Sequence, residues 1–178
     1  MKYFTLICVA LMFTFSSCNR MLLDVPTKQK IENAGISINQ VQFYNSEEIV
    51  LSRQLKNEDL KVVSGKVRFE NGKYIEEIKI RRNTPGVCDI SDDKALRVSF
   101  EDGSGKSLVF LIDATRQGDY FKIGAKEWVM RNNSKIGKVE YQNKMYNLVR
   151  GRNSRLMINK SVLNKMKRNT RIAKGKKL

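Results

Sequence analysis

An all-β domain, either an antiparallel sandwich or a small barrel built from hairpins, is the fold class this sequence predicts. Three observations carry it. Apolar and polar residues alternate at period two in short runs, as in Val67 and Phe69 against Lys66, Arg68 and Glu70, or Leu96, Val98 and Phe100 against Arg97, Ser99 and Glu101. Turn signals recur about every ten residues, the rhythm of hairpins rather than of βαβ units. No stretch before Lys160 shows the periodicity of an amphipathic helix.

The β pattern begins at Ile36. Val41, Phe43 and the run Ile49-Val50-Leu51 flank a turn-like Asn45-Ser46. Val63, Val67 and Phe69 then form a half-buried strand, Asn71-Gly72 turns the chain, and Tyr74, Ile75, Ile78 and Ile80 return. Asn-Gly suits that place because both central positions of the tightest hairpin turn need positive φ. Ile75 and Ile78 lie on opposite parities, which predicts a bulge at Glu76-Glu77 with both carboxylates in solvent. Neighbours in a strand point to opposite faces, so the pair does not read as an acid–base couple.

Thr84-Pro85-Gly86 is a turn, Leu96 to Phe100 a strand, and Asp102-Gly103-Ser104-Gly105 the next turn. Leu108-Val109-Phe110-Leu111-Ile112 is unbroken and apolar, the pattern of a central strand buried on both faces. Gly105-Lys106-Ser107 spells the end of a phosphate loop, but the upstream glycine is missing and strands lie on both sides. Tyr120, Phe121, Ile123, Trp128 and Met130 predict two short strands. Val139 and Tyr141 turn through Gln142-Asn143 into Tyr146 and Leu148, and Leu156 and Ile158 make a last strand. Residues 65–71 echo residues 137–143, with Tyr74 and Tyr146 at the same offset; shared hairpin grammar explains this as well as an old duplication does.

Composition narrows the function classes. The chain has no histidine, which removes Ser-His-Asp and Cys-His catalysis, the HExxH arrangement and every histidine-based zinc site. Acid–base work would fall to displaced carboxylates or lysines. The formal charge of +16 is unevenly spread. From Tyr141 to Leu178 there are twelve Lys and Arg and no acidic residue, whereas residues 19–140 hold 21 basic and 18 acidic ones. A nearly neutral body therefore carries a polycationic end.

The first eighteen residues read MKYFTLICVALMFTFSSC. Lys2 gives a positive start, Tyr3 to Phe15 are uncharged, and two small residues precede Cys18. Thirteen apolar residues fall short of the roughly 20 a permanent spanning helix requires, and instead describe a secretory signal over residues 1–17. The ending FSSC resembles a bacterial lipobox, with Phe15 where the usual box has Leu, and is similar to the looser boxes of Bacteroidota lipoproteins. The resemblance covers these residues only. It implies lipidation of Cys18, an envelope address at the outer membrane and, since no acidic cluster follows the cysteine, a periplasm-facing domain. Cys18 would then be a tether point. With Cys8 lost with the signal, Cys88 is left with no disulfide partner and reads as a buried apolar filler.

The predicted organisation is thus a signal at 1–17, a polar lipid-anchored tether at 18–35 with a mean span of about 20–25 Å, an all-β domain at 36–159, and a basic segment at 160–178. Val162, Leu163 and Met166 would line a short helix, with a charged terminus beyond. Removing such a solvated segment is expected to leave thermal stability nearly unchanged. The residues expected to meet an anionic partner are Arg150, Arg152, Arg155, Lys160, Lys165, Lys167, Arg168, Arg171, Lys174, Lys176 and Lys177.

The expected role is non-catalytic, a binding or assembly component of the cell envelope. It needs no cofactor and no metal, and is held to the membrane through Cys18. Its basic end would contact an envelope protein, an anionic polymer or lipid, with simple solvation of that segment as the alternative. Nucleic acid fits poorly, since no aromatic side chain for base stacking follows Tyr146. An envelope enzyme using Cys88, a Ser–Lys pair or carboxylates, and a carrier with a small-molecule pocket inside the β domain, are the competing classes.

Overall fold

The computed structural model describes residues 19–56, 66–115, 118–131 and 134–168. The signal, Cys18, Val63 and the basic residues from Arg171 onward lie outside the described residues. The chain runs β1 (Arg20–Leu22), α1 (Val25–Asn33), a 3-10 turn (Ile38–Gln40), β2 (Gln42–Asn45), β3 (Ile49–Gln54), β4 (Lys66–Glu70), β5 (Lys73–Ile80) and β6 (Pro85–Ser91). It continues through β7 (Ala95–Ser99), β8 (Ser107–Thr115), β9 (Gly118–Ile123), β10 (Glu127–Arg131), β11 (Ser134–Tyr141), β12 (Lys144–Arg150), β13 (Leu156–Asn159) and α2 (Ser161–Arg168).

Two antiparallel sheets result, as the alternation predicts. One has the order β1-β13-β2-β6-β7-β8-β9, the other β10-β11-β12-β3-β5-β4. The seven-stranded sheet curls back on itself. Phe121 N of β9 donates to Leu23 O at 3.3 Å and Ile123 N to Ser154 O at 2.9 Å, while Asp24 faces Tyr120 and Arg155 faces Lys122 across single bridges. Its final strand therefore pairs with the chain beside β1 and β13, which shields an edge that would otherwise be open. Phe43, Phe110 and Phe121 fill the core with Leu23, Ile49, Leu51 and Leu96, all fully buried. The hairpin turns behave as their residues dictate: Asn71 and Gly72 have φ of 49° and 75°, Gln142 and Asn143 of 52° and 58°.

The stretch after Asn19 is no tether. β1 pairs with β13, Leu23 is fully buried, and α1 follows directly. Asp24 caps this helix by accepting a hydrogen bond from Thr27 N at 2.8 Å. Pro26 sits in the first turn, where its missing N–H leaves no hydrogen bond unmade. Ile31 is fully buried, and Lys28, only 5% exposed, reaches Glu32 at 2.7 Å. The helix ends with Gly35 N on Glu32 O and Ile36 N on Ile31 O, with Gly35 at φ 73°.

Three other expectations need correction. The ladder between β3 and β5 runs without a register shift, so no bulge occurs at Glu76-Glu77; the shifts fall at Leu148/Arg150 and Cys88/Ile90. Glu76 takes an inward position and is fully buried, which leaves Ile75 on the outer parity. β8 is second from the end of its sheet and buries Leu108 and Phe110 while leaving Leu111 42% exposed, so its second face is covered only in part. The echo between residues 65–71 and 137–143 does not extend to register: the first turn centres on Asn71-Gly72, the second on Gln142-Asn143, one residue out of step. The predicted C-terminal helix is present, and Val162 and Met166 pack against the core.

Candidate functional site

The outward members of β8, Val109 and Leu111, floor a groove. Gly124 N donates to Val109 O at 2.8 Å, which carries the β8–β9 ladder one residue past Ile123. A Cβ at Gly124 would lie 2.8 Å from Leu111 Cδ1, so a larger residue there would push the Leu111 side chain aside. Farther along, Trp128 of β10 stands opposite Gly137 of β11, where a Cβ would come within 2.9 Å of Trp128 Cζ3. The indole is seated on that bare backbone.

Two adjoining clefts share Leu111 and Gly124. The more enclosed one, about 170 Å³, lies between β7, β8 and β11 and is lined by Arg97, Lys126 and Glu140 among others. The larger, about 390 Å³, is lined by Asp113, Lys122, Trp128, Lys135, Arg152 and Asn153. Together they hold five cations, Arg97, Lys122, Lys126, Lys135 and Arg152, against two carboxylates, Asp113 and Glu140, an excess of three positive charges. Lys126 contacts Glu140 and holds its carboxyl below the usual carboxylate range. Lys122 Nζ lies 3.3 Å from Asp113 Oδ2, and the Lys135 ammonium lies over the Trp128 ring, 5.2 Å from its centroid.

Of the basic residues singled out in the sequence, Arg152 lines this groove. Arg155 stands beside it, its guanidinium 5.2 Å from the Tyr120 ring centroid. Arg150 belongs to a different surface, where its Nη1 meets Glu48 Oε1 at 2.8 Å beside Arg68, Glu77 and Lys79. Lys160 is exposed, and its backbone N–H donates to Asn19 O at 2.9 Å; Lys165 is exposed on α2. Lys167 and Arg168 end α2, and Arg171, Lys174, Lys176 and Lys177 lie outside the described residues, as does Cys18.

Sequence reasoning missed Asp113, Lys122, Trp128 and Lys135, which come from four successive strands with no common spacing. The usable signals were the sole tryptophan and the unbroken apolar run of β8, whose outward half forms the groove floor.

Cys88 is 2% exposed, and burial pushes its thiol up to about 11. Its Sγ–H donates to Ile90 O at 3.1 Å. Glu76 is engaged by Arg53 and Tyr146 inside the six-stranded sheet. Among the described residues no helix is long and apolar enough to cross a membrane, and no three Cys, Asp or Glu side chains gather as metal ligands. The chain matches no family model, and no curated protein or solved structure shows a match to it.

Proposed function

We propose that this chain is a non-catalytic lipoprotein of the bacterial cell envelope, anchored through acylated Cys18, that binds an anionic partner through the groove and its basic C-terminal segment. The observation that carries the binding role is the excess of cations over carboxylates along a groove with an apolar floor. An enzyme that used Cys88 would need a reachable thiolate, and this thiol is buried with its pKa raised. A carrier would enclose its ligand in a mostly apolar cavity, and both clefts here are open grooves edged by charged side chains.

The absence of a tether sharpens the reading. Asn19, one residue after Cys18, is bonded to Lys160 at the start of α2. An acyl group on Cys18 would therefore hold Arg20, Lys160 and Lys165 close to the headgroups, where each basic residue contributes about 1 kcal/mol at an anionic surface.

The test is Cys18→Ala in the producing cell, with mass spectrometry of the mature N-terminus and membrane fractionation. The wild-type protein is expected to carry acyl mass and to sediment with membranes, and the variant to be released. A variant still full length and membrane-held overturns the anchoring.

A further inference from the structure

Resting on the reading of the groove as the anion-binding face, we propose that its ligand is an anionic saccharide, a run of sugar rings bearing carboxylate or phosphate groups. A pure polyanion needs donors only. This groove intersperses acceptors among its donors: Asp113 lies 3.3 Å from Lys122, and Glu140 contacts Lys126. Carboxylates in those places repel a densely charged backbone, yet they accept hydrogen bonds from hydroxyls, while the ammonium groups take the occasional charged substituent. Sugar rings carry both.

The apolar part of the groove fits the same ligand. Trp128, seated on Gly137 with the Lys135 ammonium over its ring, and Leu111 offer apolar edges against which the C–H groups of a pyranose can pack, beside a cation for its charged substituent. The larger cleft, at about 390 Å³, falls within the usual size of a ligand site. Through the shared Leu111 and Gly124 it continues into the smaller one, so adjacent rings have adjacent places. A peptide added as an extra strand is disfavoured here, because β9 beside the groove already spends Phe121 N and Ile123 N on Leu23 and Ser154.

Trp128 is the only tryptophan in the chain, so its emission reports on the groove alone. The mature full-length protein carrying Cys18→Ala is titrated with oligogalacturonate, phosphorylated mannan, neutral maltooligosaccharide, poly-glutamate and single-stranded oligothymidylate. A saturable emission change is expected with one or both of the charged glycans. Lys122→Gln should weaken it about tenfold, the loss of one charge-assisted hydrogen bond. Asp113→Ala should also weaken it, whereas a plain charge patch would bind every polyanion more tightly once that carboxylate is gone. Both variants are checked for an unchanged melt, and the wild-type titrations decide by themselves if a variant fails to fold. Poly-glutamate or oligothymidylate binding as tightly as the glycans overturns the saccharide and leaves an anion site. Equal binding of maltooligosaccharide overturns the requirement for charge. No emission change with any probe overturns the groove as a binding face.

Discussion

Tyr146 and Glu76 meet inside the six-stranded sheet, where the Tyr146 hydroxyl donates to Glu76 Oε2 at 3.0 Å. The same oxygen accepts Arg53 Nε at 2.6 Å. β12, β3 and β5 each supply one member, so the cluster ties together the middle of that sheet. Tyr146→Phe removes a hydrogen bond to a charged, fully buried group and should cost about 1.5–3 kcal/mol in urea unfolding. Glu76→Leu should cost about 3–5 kcal/mol, because it leaves the Arg53 guanidinium facing an apolar side chain. A Tyr146→Phe loss below about 0.5 kcal/mol would mean the bond is not made in solution.

The same residue sets a pH dependence. Burial raises Tyr146 to about 12, and the Glu76 carboxylate acts in the same direction. An unfolded tyrosine ionises near pH 10. The folded form keeps the proton longer, so its contribution is complete below about pH 10 and is lost as pH rises through about 12. Melting midpoints should fall over that window, and Tyr146→Phe should flatten the fall. An equal slope in wild type and variant would assign the effect elsewhere.

Gly151 lies where β12 leaves its ladder with β3, at φ 86°, and a Cβ there would stand 2.5 Å from Glu48 O and 2.9 Å from Ile49 Cα. Both contacts are backbone, so neither can move aside cheaply. Gly151→Ala should cost about 3 kcal/mol or more, from strain and overlap together. Calorimetry of the purified variant checks this, and a change under about 1 kcal/mol would contradict the close approach.

Cys88 should resist alkylation. With burial raising its pKa to about 11, little thiolate exists at pH 8, and the residue is only 2% exposed besides. Maleimide labelling of residues 18–178 carrying Cys18→Ala, in which Cys88 is the one thiol, is expected to be negligible in the folded state and complete in urea. Rapid labelling of the native protein would place Cys88 at the surface.

Truncation after Asn159 should now lower stability, contrary to the expectation for a solvated segment. It removes Val162 and Met166 from the core and the Lys160–Asn19 hydrogen bond from the chain's other end. About 2 kcal/mol of partial burial is at stake, or roughly 4–8 °C for a domain of this size. An unchanged melt would show that α2 does not dock.

The legible parts of this fold were the local ones. Asn71-Gly72 and Gln142-Asn143 declare their hairpins because positive φ is a property of the turn itself. α1 went unseen although Asp24, Pro26 and Gly35 mark both its ends. Of its nine residues Ile31 supplies the deepest apolar contact, and the burial of Lys28 and Thr27 depends on neighbours far along the chain. Glu76 misled for a related reason: the unequal parity of Ile75 and Ile78 suggested a bulge, whereas Glu76 turns inward to Arg53 and Tyr146, 23 and 70 residues away. The groove was hidden in the same way. Asp113, Lys122 and Lys135 share no motif and converge only after β8 to β11 have folded.

Arg20 pairs with Asn159, so the first strand finds its place only when the last one exists. β1 stays without this mate until β13 has been made, and contacts spanning so long a loop form slowly. β13 works as a latch, closing the seven-stranded sheet between β1 and β2.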